Sequence, residues 1–411
     1  MCKEKRRVPK LRFPGFTEDW EQRKLGNLYK RVNERNDGTL GRDKWISVAK
    51  MYFQDPDKVQ SNNLDTRTYV MKKGDIAFEG HPNNEFKFGR FVLNDIGTGI
   101  ISELFPIYRP ITEYDLDFWK YAIQLERMMA PIFAKSITSS GNSSNKLDHN
   151  HFLNQELLVP NIDEQKKMGT LLSILSKNIT LHQRKLEHLN LKKKALLQKL
   201  FPKNGERYPE LRFPGFTDAW EQRKLGAMCL LFTDGDWIES KDQSNEGIRL
   251  IQTGNIGVGK FIDKPENKKW ISHSTFNNLR CKELLDGDIL ISRLPQPAGR
   301  ACIVNTNNEK WITAVDCTIV RLLDQYSNKF ILQSLCTYNY FHLIDSFLAG
   351  GTRQRVSRSN LSDINIMSPE KIEQDKIGLF FECVDNLITL HQRKLEHLQL
   401  QKKALLQQMF V

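Results

Sequence analysis

Apolar residues recur at alternating steps of three and four over the stretch 172–200, and the same pattern returns over 381–409. This spacing places them on one stripe of an α-helix, and a stripe held for about four heptads is typical of a coiled coil. The predicted seam positions are Leu172, Leu175, Ile179, Leu186, Leu189, Leu196 and Leu200 in the first stretch, and Phe381, Val384, Ile388, Leu395, Leu398, Leu405 and Met409 in the second. His182 and Lys193 interrupt the first seam, and His391 and Lys402 interrupt the second at the same points.

A helix is predicted from Asp163, because Pro160 and Asn161 supply a breaker and a capping residue and Glu164 places a negative charge in the first turn. A helix from there to Phe201 would be roughly 58 Å long at 1.5 Å per residue. Polar residues in a seam cost stability and fix register and partner, so their repetition predicts two helices that pair with each other. Because each helix follows its own module and the duplication implies pseudo-twofold symmetry, the pair is expected to be antiparallel and to act as a rigid spacer. The alternative is that each helix packs only on its own domain.

The chain is an internal duplication. Residues 11–26 return as 211–226 with 14 of 16 positions identical, and residues 179–201 return as 388–410 with 19 of 23 identical. Between these blocks only short landmarks survive, such as Gly74-Asp75 against Gly287-Asp288 and Glu164-Gln165 against Glu373-Gln374. The repeated blocks form a common frame, and the segments between them differ. This predicts two modules with the same kind of function on different targets.

The two modules, 27–158 and 227–367, are predicted to be mixed α and β. Short β-branched and aromatic runs bounded by Gly, Asn and Asp predict strands at 45–48, 74–78, 104–108, 248–251, 288–291 and 317–320. One helix is predicted in each module, Leu116–Ala134 and Lys329–Leu348. We therefore expect a twisted sheet with flanking helices in each half of the chain.

A polar loop follows that helix in both modules, at 139–150 and 350–360. Arg, Gln, Asn and Ser are the side chains that reach phosphates and base edges, so these loops are candidates for DNA contact, although a solvated loop remains the alternative. The candidates on the first module are Lys44, Lys50, Lys87, Arg90, Ser140, Asn142 and Lys146. Those on the second are Arg249, Gln252, Asn255, Arg293, Arg353, Gln354, Arg355 and Arg358.

Composition supports a cytoplasmic protein with a polyanionic partner. The 411 residues carry 61 Lys+Arg and 49 Asp+Glu, a formal net charge of +12, and no apolar run is long enough to span a membrane. The charged start, Met1 to Arg7, has no apolar run behind it and so predicts no secretory signal. Seven scattered cysteines without a C-x-x-C pair predict neither disulfides nor zinc, and they are expected to be small buried residues.

Motifs for catalysis are weak. Gly254 to Lys260 has the spacing of a phosphate loop, but Phe261 stands where the Mg²⁺-binding Ser or Thr is needed. Pro56-Asp57 with Glu85-Phe86-Lys87 outlines a nuclease metal site across a wide gap, and the second copy lacks it. The histidines lack the spacing of a metal cluster or a triad, so no catalytic or metal site is predicted.

The chain resembles the specificity (S) subunit of type I restriction-modification systems. The resemblance is carried by Trp20 to Gly26 and its repeat Trp220 to Gly226, by Asn360 to Pro369 leading through Glu373-Gln374 into the second helix, and by the two-copy frame. It implies an α+β protein with two target-recognition domains and two long spacer helices in an antiparallel coiled coil of pseudo-twofold symmetry. The implied bounds are 1–160 and 204–369 for the recognition domains, and 161–203 and 370–411 for the helices.

The resemblance also implies a function without catalysis by this chain. Each domain reads one half of an asymmetric bipartite site in double-stranded DNA, and the helices set the unread gap. Two methyltransferase (M) and two restriction (R) subunits are the implied partners, and they would carry S-adenosylmethionine, ATP and Mg²⁺, with no cofactor on this chain. The competing hypotheses are a stand-alone nuclease or methyltransferase, a coiled-coil adaptor that touches no DNA, and a DNA-binding protein outside restriction-modification.

Overall fold

The computed structural model describes residues 7–59, 67–140, 144–203, 205–295, 297–348 and 354–411, apart from the side chains of Ser139 and Ser140. The helices are α1 (Leu116–Ala122), α2 (Glu126–Ser136), α3 (His149–Leu153), α4 (Ile162–Leu200), α5 (His273–Leu279), α6 (Asn328–Ser334), α7 (Tyr338–Ser346), α8 (Arg358–Ser362) and α9 (Lys371–Gln408). The strands before α4 are β1 (Glu21–Lys24), β2 (Tyr29–Val32), β3 (Ile46–Ser47), β4 (Tyr52–Phe53), β5 (Thr68–Met71), β6 (Ile76–Glu79), β7 (Arg90–Leu93), β8 (Gly99–Ser102), β9 (Ile107–Pro110), β10 (Ile137–Ser140), β11 (Asn145–Leu147) and β12 (Glu156–Val159). Those after it are β13 (Glu221–Lys224), β14 (Cys229–Asp234), β15 (Gln243–Ser244), β16 (Ile248–Ile251), β17 (Lys269–Ile271), β18 (Ile289–Ser292), β19 (Ala301–Ile303), β20 (Trp311–Thr313), β21 (Cys317–Leu322) and β22 (Asn365–Ser368).

The chain divides into two compact units. Unit 1 is Met1–Gln183 with Arg393–Val411, and unit 2 is Arg184–Gln392. Each unit therefore holds one module, the first part of the long helix that follows that module, and the last part of the other long helix. These units cut across the domain bounds implied by the resemblance, which stay a prediction.

Both units contain the same four-stranded antiparallel sheet. Its strand order is β2-β9-β6-β7 in unit 1 and β14-β21-β18-β19 in unit 2. The smaller sheets differ, because β5 pairs antiparallel with β8 in unit 1, whereas β16 pairs parallel with β20 and antiparallel with β17 in unit 2. The duplicated frame is therefore retained in the principal sheet, and the two copies diverge around it.

The repeated Glu-Gln-Arg-Lys block forms the strand that closes each module. In unit 1, β1 pairs with β12, with Glu21 opposite Val159. In unit 2, β13 pairs with β22, with Glu221 opposite Ser368. The tryptophan before each strand is buried, Trp20 against Phe118 and Phe410 and Trp220 against Phe201 and Phe330. The last strand of each module therefore pairs with its first strand, next to the start of the long helix that follows.

All the predicted seam positions on α4 and α9 are buried or half-buried, including the four polar interruptions. Within unit 2 the helices run antiparallel, since Lys193 contacts Asp385 and, further along the first helix, Phe201 contacts Phe381. Within unit 1, Leu405 and Leu406 pack on the core that contains Met168 and Leu172.

The Gln of the Glu-Gln landmark ties each helix to its own module. The Gln165 side chain donates to the Pro160 carbonyl at 3.0 Å and accepts from the Asp115 amide at 3.2 Å. Gln374 makes the equivalent bonds to Pro369 and Ser327 at 2.8 and 3.0 Å. One turn later Gly169 lies so close to α1 that an added Cβ would sit 2.1 Å from Asp115 Oδ1. The helix therefore requires glycine where α1 packs on it.

Three predicted elements are wrong in detail. Each long helix predicted inside a module is two helices, α1 and α2 in the first and α6 and α7 in the second. The second break follows local capping, because the Thr337 hydroxyl accepts from the Tyr340 amide and starts a new helix. The strand predicted at 104–108 begins only at Ile107, and the Leu104 side chain is exposed in the turn before it.

Candidate nucleic-acid interface

Both polar loops are anchored by a backbone hydrogen bond at equivalent places in the two modules. In unit 1 the Asn145 amide donates to the Gly80 carbonyl at 2.8 Å, just past β6. In unit 2 the Val356 amide donates to the Arg293 carbonyl at 3.1 Å, just past β18. Since β6 and β18 occupy the same place in the shared sheet, both loops return to the same edge of their module.

Three predicted DNA-contacting arginines converge in unit 2. We call them, with two aspartates, the arginine cluster: Arg293, Arg355, Arg358, Asp234 and Asp316. Arg355 Nη1 lies 3.5 Å from Asp316 Oδ1, and Arg358 Nη1 lies 3.9 Å from Asp234 Oδ2. These two arginine side chains are 59% and 51% exposed. Both are therefore open to a ligand, with a carboxylate on one side.

Arg293 lies beneath this surface. Its side chain is 7% exposed, donates to the Val315 carbonyl at 2.9 Å, and lies 3.5 Å from Asp234 and 3.9 Å from Asp316. Its Nε is buried and has no hydrogen-bond partner among the described residues. Arg293 therefore holds the two aspartates from inside the module.

On the first module, Lys44, Lys50 and Lys87 are exposed as predicted for surface cations. Arg90 is different, because its Nε donates to Glu79 at 2.9 Å and its Nη2 donates to the Ala49 carbonyl at 2.6 Å. That second bond holds the segment carrying Lys50 against β7. Arg90 thus organises this face, and the lysines provide its accessible charge.

The loop candidates have mixed positions. Lys146 is exposed on β11, and Ser140 lies on its partner strand β10. Gln354 is exposed next to Arg355. Asn142 and Arg353 lie outside the described residues.

Three candidates on the second module serve its interior. Arg249 is buried, donates to Asp263 at 2.5 Å, and lies 5.1 Å from the centre of the Trp311 ring. Gln252 and Asn255 cap a short turn reciprocally, and the Asn255 side chain also donates to the Ile262 carbonyl at 3.0 Å. These three side chains are engaged within the protein in this structure.

Sequence reasoning missed His149, which begins α3 as Arg358 begins α8. His149 Nδ1 lies 2.7 Å from the Tyr108 hydroxyl, and burial followed by the nearby Arg31 lowers the pKa of the imidazole. The signal was available, because His149 and Arg358 are 209 residues apart, the offset of the repeated helices. The same point on the two modules therefore carries different chemistry.

The described residues contain no group of three metal-ligating side chains. Burial raises the pKa of the Cys281 thiol to about 11 and that of Cys317 to about 12, so neither thiol is activated as a nucleophile. Cys383 is exposed on α9, so the prediction that all the cysteines are buried is wrong. None of the described helices combines the length and the apolar composition needed to cross a bilayer.

Residues 217–400 match the family of the type I restriction modification DNA specificity domain. The MjaVIII specificity subunit of a type I restriction enzyme from Methanocaldococcus jannaschii is 22% identical over 417 residues, covering 96% of this chain and 92% of its own. The S subunit of a type I restriction-modification system from M. genitalium has a similar fold, with a TM-score of 0.62, 14% identity and 98% and 99% coverage of this chain and its own. A chain from a structural study of assembly of the type I system aligns with a TM-score of 0.51, 19% identity and 97% and 98% coverage.

The family match places a type I restriction modification DNA specificity domain in the second half of the chain, at residues 217–400. The whole chain is similar in sequence and in fold to specificity subunits of such systems, and the resemblance seen in the sequence is confirmed. The competing hypotheses of a coiled-coil adaptor and of a DNA-binding protein outside restriction-modification are not favoured by these findings.

Proposed function

We propose that this chain reads an asymmetric, bipartite site in double-stranded DNA, with one module on each half-site. The helices α4 and α9 set the length of the unread gap. The chain performs no chemistry itself and positions methyltransferase and restriction subunits, two of each, which bring S-adenosylmethionine, ATP and Mg²⁺. A cytoplasmic location follows from this role.

One observation carries the proposal: the two modules share a sheet and a loop anchor but present different side chains there. Unit 2 offers Arg355 and Arg358, whereas unit 1 offers Lys146 and His149. Modules of one design with different reading groups are expected to select different base sequences. An asymmetric target follows.

Affinity and selectivity come from different groups in this scheme. Exposed cations such as Lys44, Lys50 and Lys87 attract phosphates without reading sequence, and the affinity they supply falls steeply with salt. Side chains that reach base edges in the major groove each add about 1–3 kcal/mol of discrimination.

The direct test is methylome sequencing of a host that expresses this chain with its cognate M subunits, against the M subunits alone. The proposal predicts a two-part, asymmetric methylated motif that appears only with this chain. A soluble complex that produces no new motif would contradict it. A duplex-binding assay at several salt concentrations completes the test, because an adaptor that does not touch DNA would show no salt-sensitive affinity.

A further inference from the structure

We propose that Arg355 and Arg358 read guanines in the half-site of the second module, and that Asp316 and Asp234 hold them in the reading orientation. The inference rests on the proposed function and adds to it a base type and the residues that orient the readers. Arg293 is a third member, a positioning residue that does not reach DNA.

The geometry leaves each guanidinium the donors that guanine needs. A guanidinium carries five N–H donors in a rigid fork, and reading guanine O6 and N7 uses two of them. Arg355 and Arg358 each have Nη1 toward a carboxylate, at 3.5 and 3.9 Å, while about half of each side chain is exposed. A carboxylate behind the fork restricts the rotamers of a long side chain and so reduces the entropy lost on binding.

The aspartates are themselves held in place. Asp234 Oδ1 accepts from the Thr318 hydroxyl at 3.0 Å on the adjacent strand β21. The Asp316 carbonyl accepts from the Arg293 amide at 2.9 Å, and the buried Arg293 guanidinium approaches both carboxylates. Asp234 therefore belongs to the sheet, and Asp316 and Arg293 lie directly next to its strands β21 and β18, so the orienting groups are held more precisely than in a free loop.

The charge balance also suits a DNA reader. Three arginines against two aspartates leave the arginine cluster with one net positive charge, which favours phosphate-rich surroundings. Lysine would carry the same charge without the planar fork, so Arg and Lys are not equivalent here. Lysine variants therefore separate the contribution of the fork from that of the charge.

The experiment uses the complex with M subunits whose motif has been determined, and duplexes in which one guanine of the second half-site is replaced by 7-deazaguanine. This base lacks the N7 acceptor and keeps the pairing face. The wild-type complex is expected to lose about 5- to 150-fold in affinity at one or two guanines. Arg355→Ala or Arg358→Ala should abolish that loss at one of them. The matched lysine variants keep the charge and should reduce the loss without abolishing it, because an ammonium can still donate to N7.

Asp316→Asn and Asp234→Asn separate orientation from simple charge. Each should raise affinity for unrelated duplex, because a negative charge is removed, and yet reduce discrimination at the same guanine. Asp324→Asn is the control, since it removes the same charge from an exposed residue beyond the other end of β21 and should leave discrimination at that guanine unchanged. A second half-site without guanine, or alanine variants that keep the wild-type sensitivity, would overturn the inference. Absence of any motif would instead refute the proposed function.

Discussion

Arg12 donates from both Nε and Nη2 to the two carboxylate oxygens of Glu164, at 2.7 and 2.8 Å. The second copy repeats this bidentate pair between Arg212 and Glu373 at 2.8 and 2.7 Å. Glu164 is 1% exposed, and its hydrogen bonds raise the pKa of Arg12. The pair joins the repeated N-terminal block to the first turn of the long helix in each unit.

Neutralising this glutamate should destabilise unit 1. Glu164→Gln leaves the half-buried Arg12 without its carboxylate, and breaking a buried pair in this way costs roughly 3 kcal/mol of unfolding free energy. Urea denaturation monitored by circular dichroism measures the change. Glu187→Gln, on an exposed position of the same helix, is the control, and equal stability of the two variants would contradict the assignment.

The Glu-Gln landmark shows which features of the frame could be predicted from the sequence. Repetition marked Glu164-Gln165 and Gly74-Asp75 as parts of the frame, and the structure explains both. Asp75 is buried in a bidentate pair with Arg109, as Asp288 is with Arg321. The ion-pair partners of these carboxylates could not be predicted, because a sequence pattern reports only on residues close in the chain. Arg12, for example, lies 152 residues from Glu164.

The candidate interface was harder to predict for the same reason. A buried arginine and an exposed one look identical in sequence, so Arg249 and Arg293 were chosen together with Arg355 and Arg358. Burial of Arg249 against Trp311 depends on how β16 pairs with β20, a contact that no local pattern encodes. The helix breaks near Ile123 and Leu335 were missed because the apolar pattern continues through them.

The two seam lysines should respond differently to removal. Lys193 lies 2.6 Å from Asp385. Lys402 instead lies 4.8 Å from the centre of the Tyr121 ring. The Tyr121 hydroxyl is hydrogen-bonded to Ser176, the residue of the first copy that corresponds to Asp385. Lys193→Met should lose about 1–3 kcal/mol of unfolding free energy because it leaves Asp385 unpaired, and Lys402→Met should lose none. Denaturant titration of both variants checks this, and equal losses would contradict it.

The stability of Lys402→Met relative to the wild type should also depend on pH. Burial, and then Lys120, lower the pKa of Lys402 below its ordinary value of about 10.5. In the window between the lowered pKa and the ordinary one, the unfolded chain binds more protons, so the wild type gains stability as pH rises. The stability of the variant relative to the wild type should therefore fall as pH rises across that window, and a relative stability that rises would contradict the assignment.

Arg127 in unit 1 caps the end of α9, donating to the carbonyls of Leu406, Gln407 and Phe410 at 2.7 to 2.9 Å. Its counterpart in unit 2, the second residue of α7, is Asn339, which lines a cavity of about 760 Å³ beside the equivalent helix end. Cations at a helix C-terminus stabilise by about 0.3–1 kcal/mol.

Reciprocal variants test that difference. Arg127→Asn should lower the melting temperature, and Asn339→Arg should raise it by supplying the missing cap. Asn339→Met controls for the added side-chain length and should leave stability unchanged or lower. Stabilisation by methionine equal to that by arginine would contradict a role for the helix carbonyls.

The helices should act as a ruler for the gap. Seven residues inserted after Gln183 and seven after Gln392 keep the seam register and add about 10 Å to each helix. At 3.4 Å per base pair, the unread gap should lengthen by about three base pairs. Methylome sequencing reports gap and half-sites together, and altered half-sites with an unchanged gap would contradict the ruler.

The central claim is that each module reads its own half-site. It is tested by replacing residues 211–369 with residues 11–160, so that both positions carry the first module, and sequencing the methylome produced with M subunits. The account predicts a symmetric motif in which the half-site of the first module occurs twice, once inverted, and the wild-type second half-site is absent. Retention of that second half-site in the variant would show that the modules do not divide the reading between them.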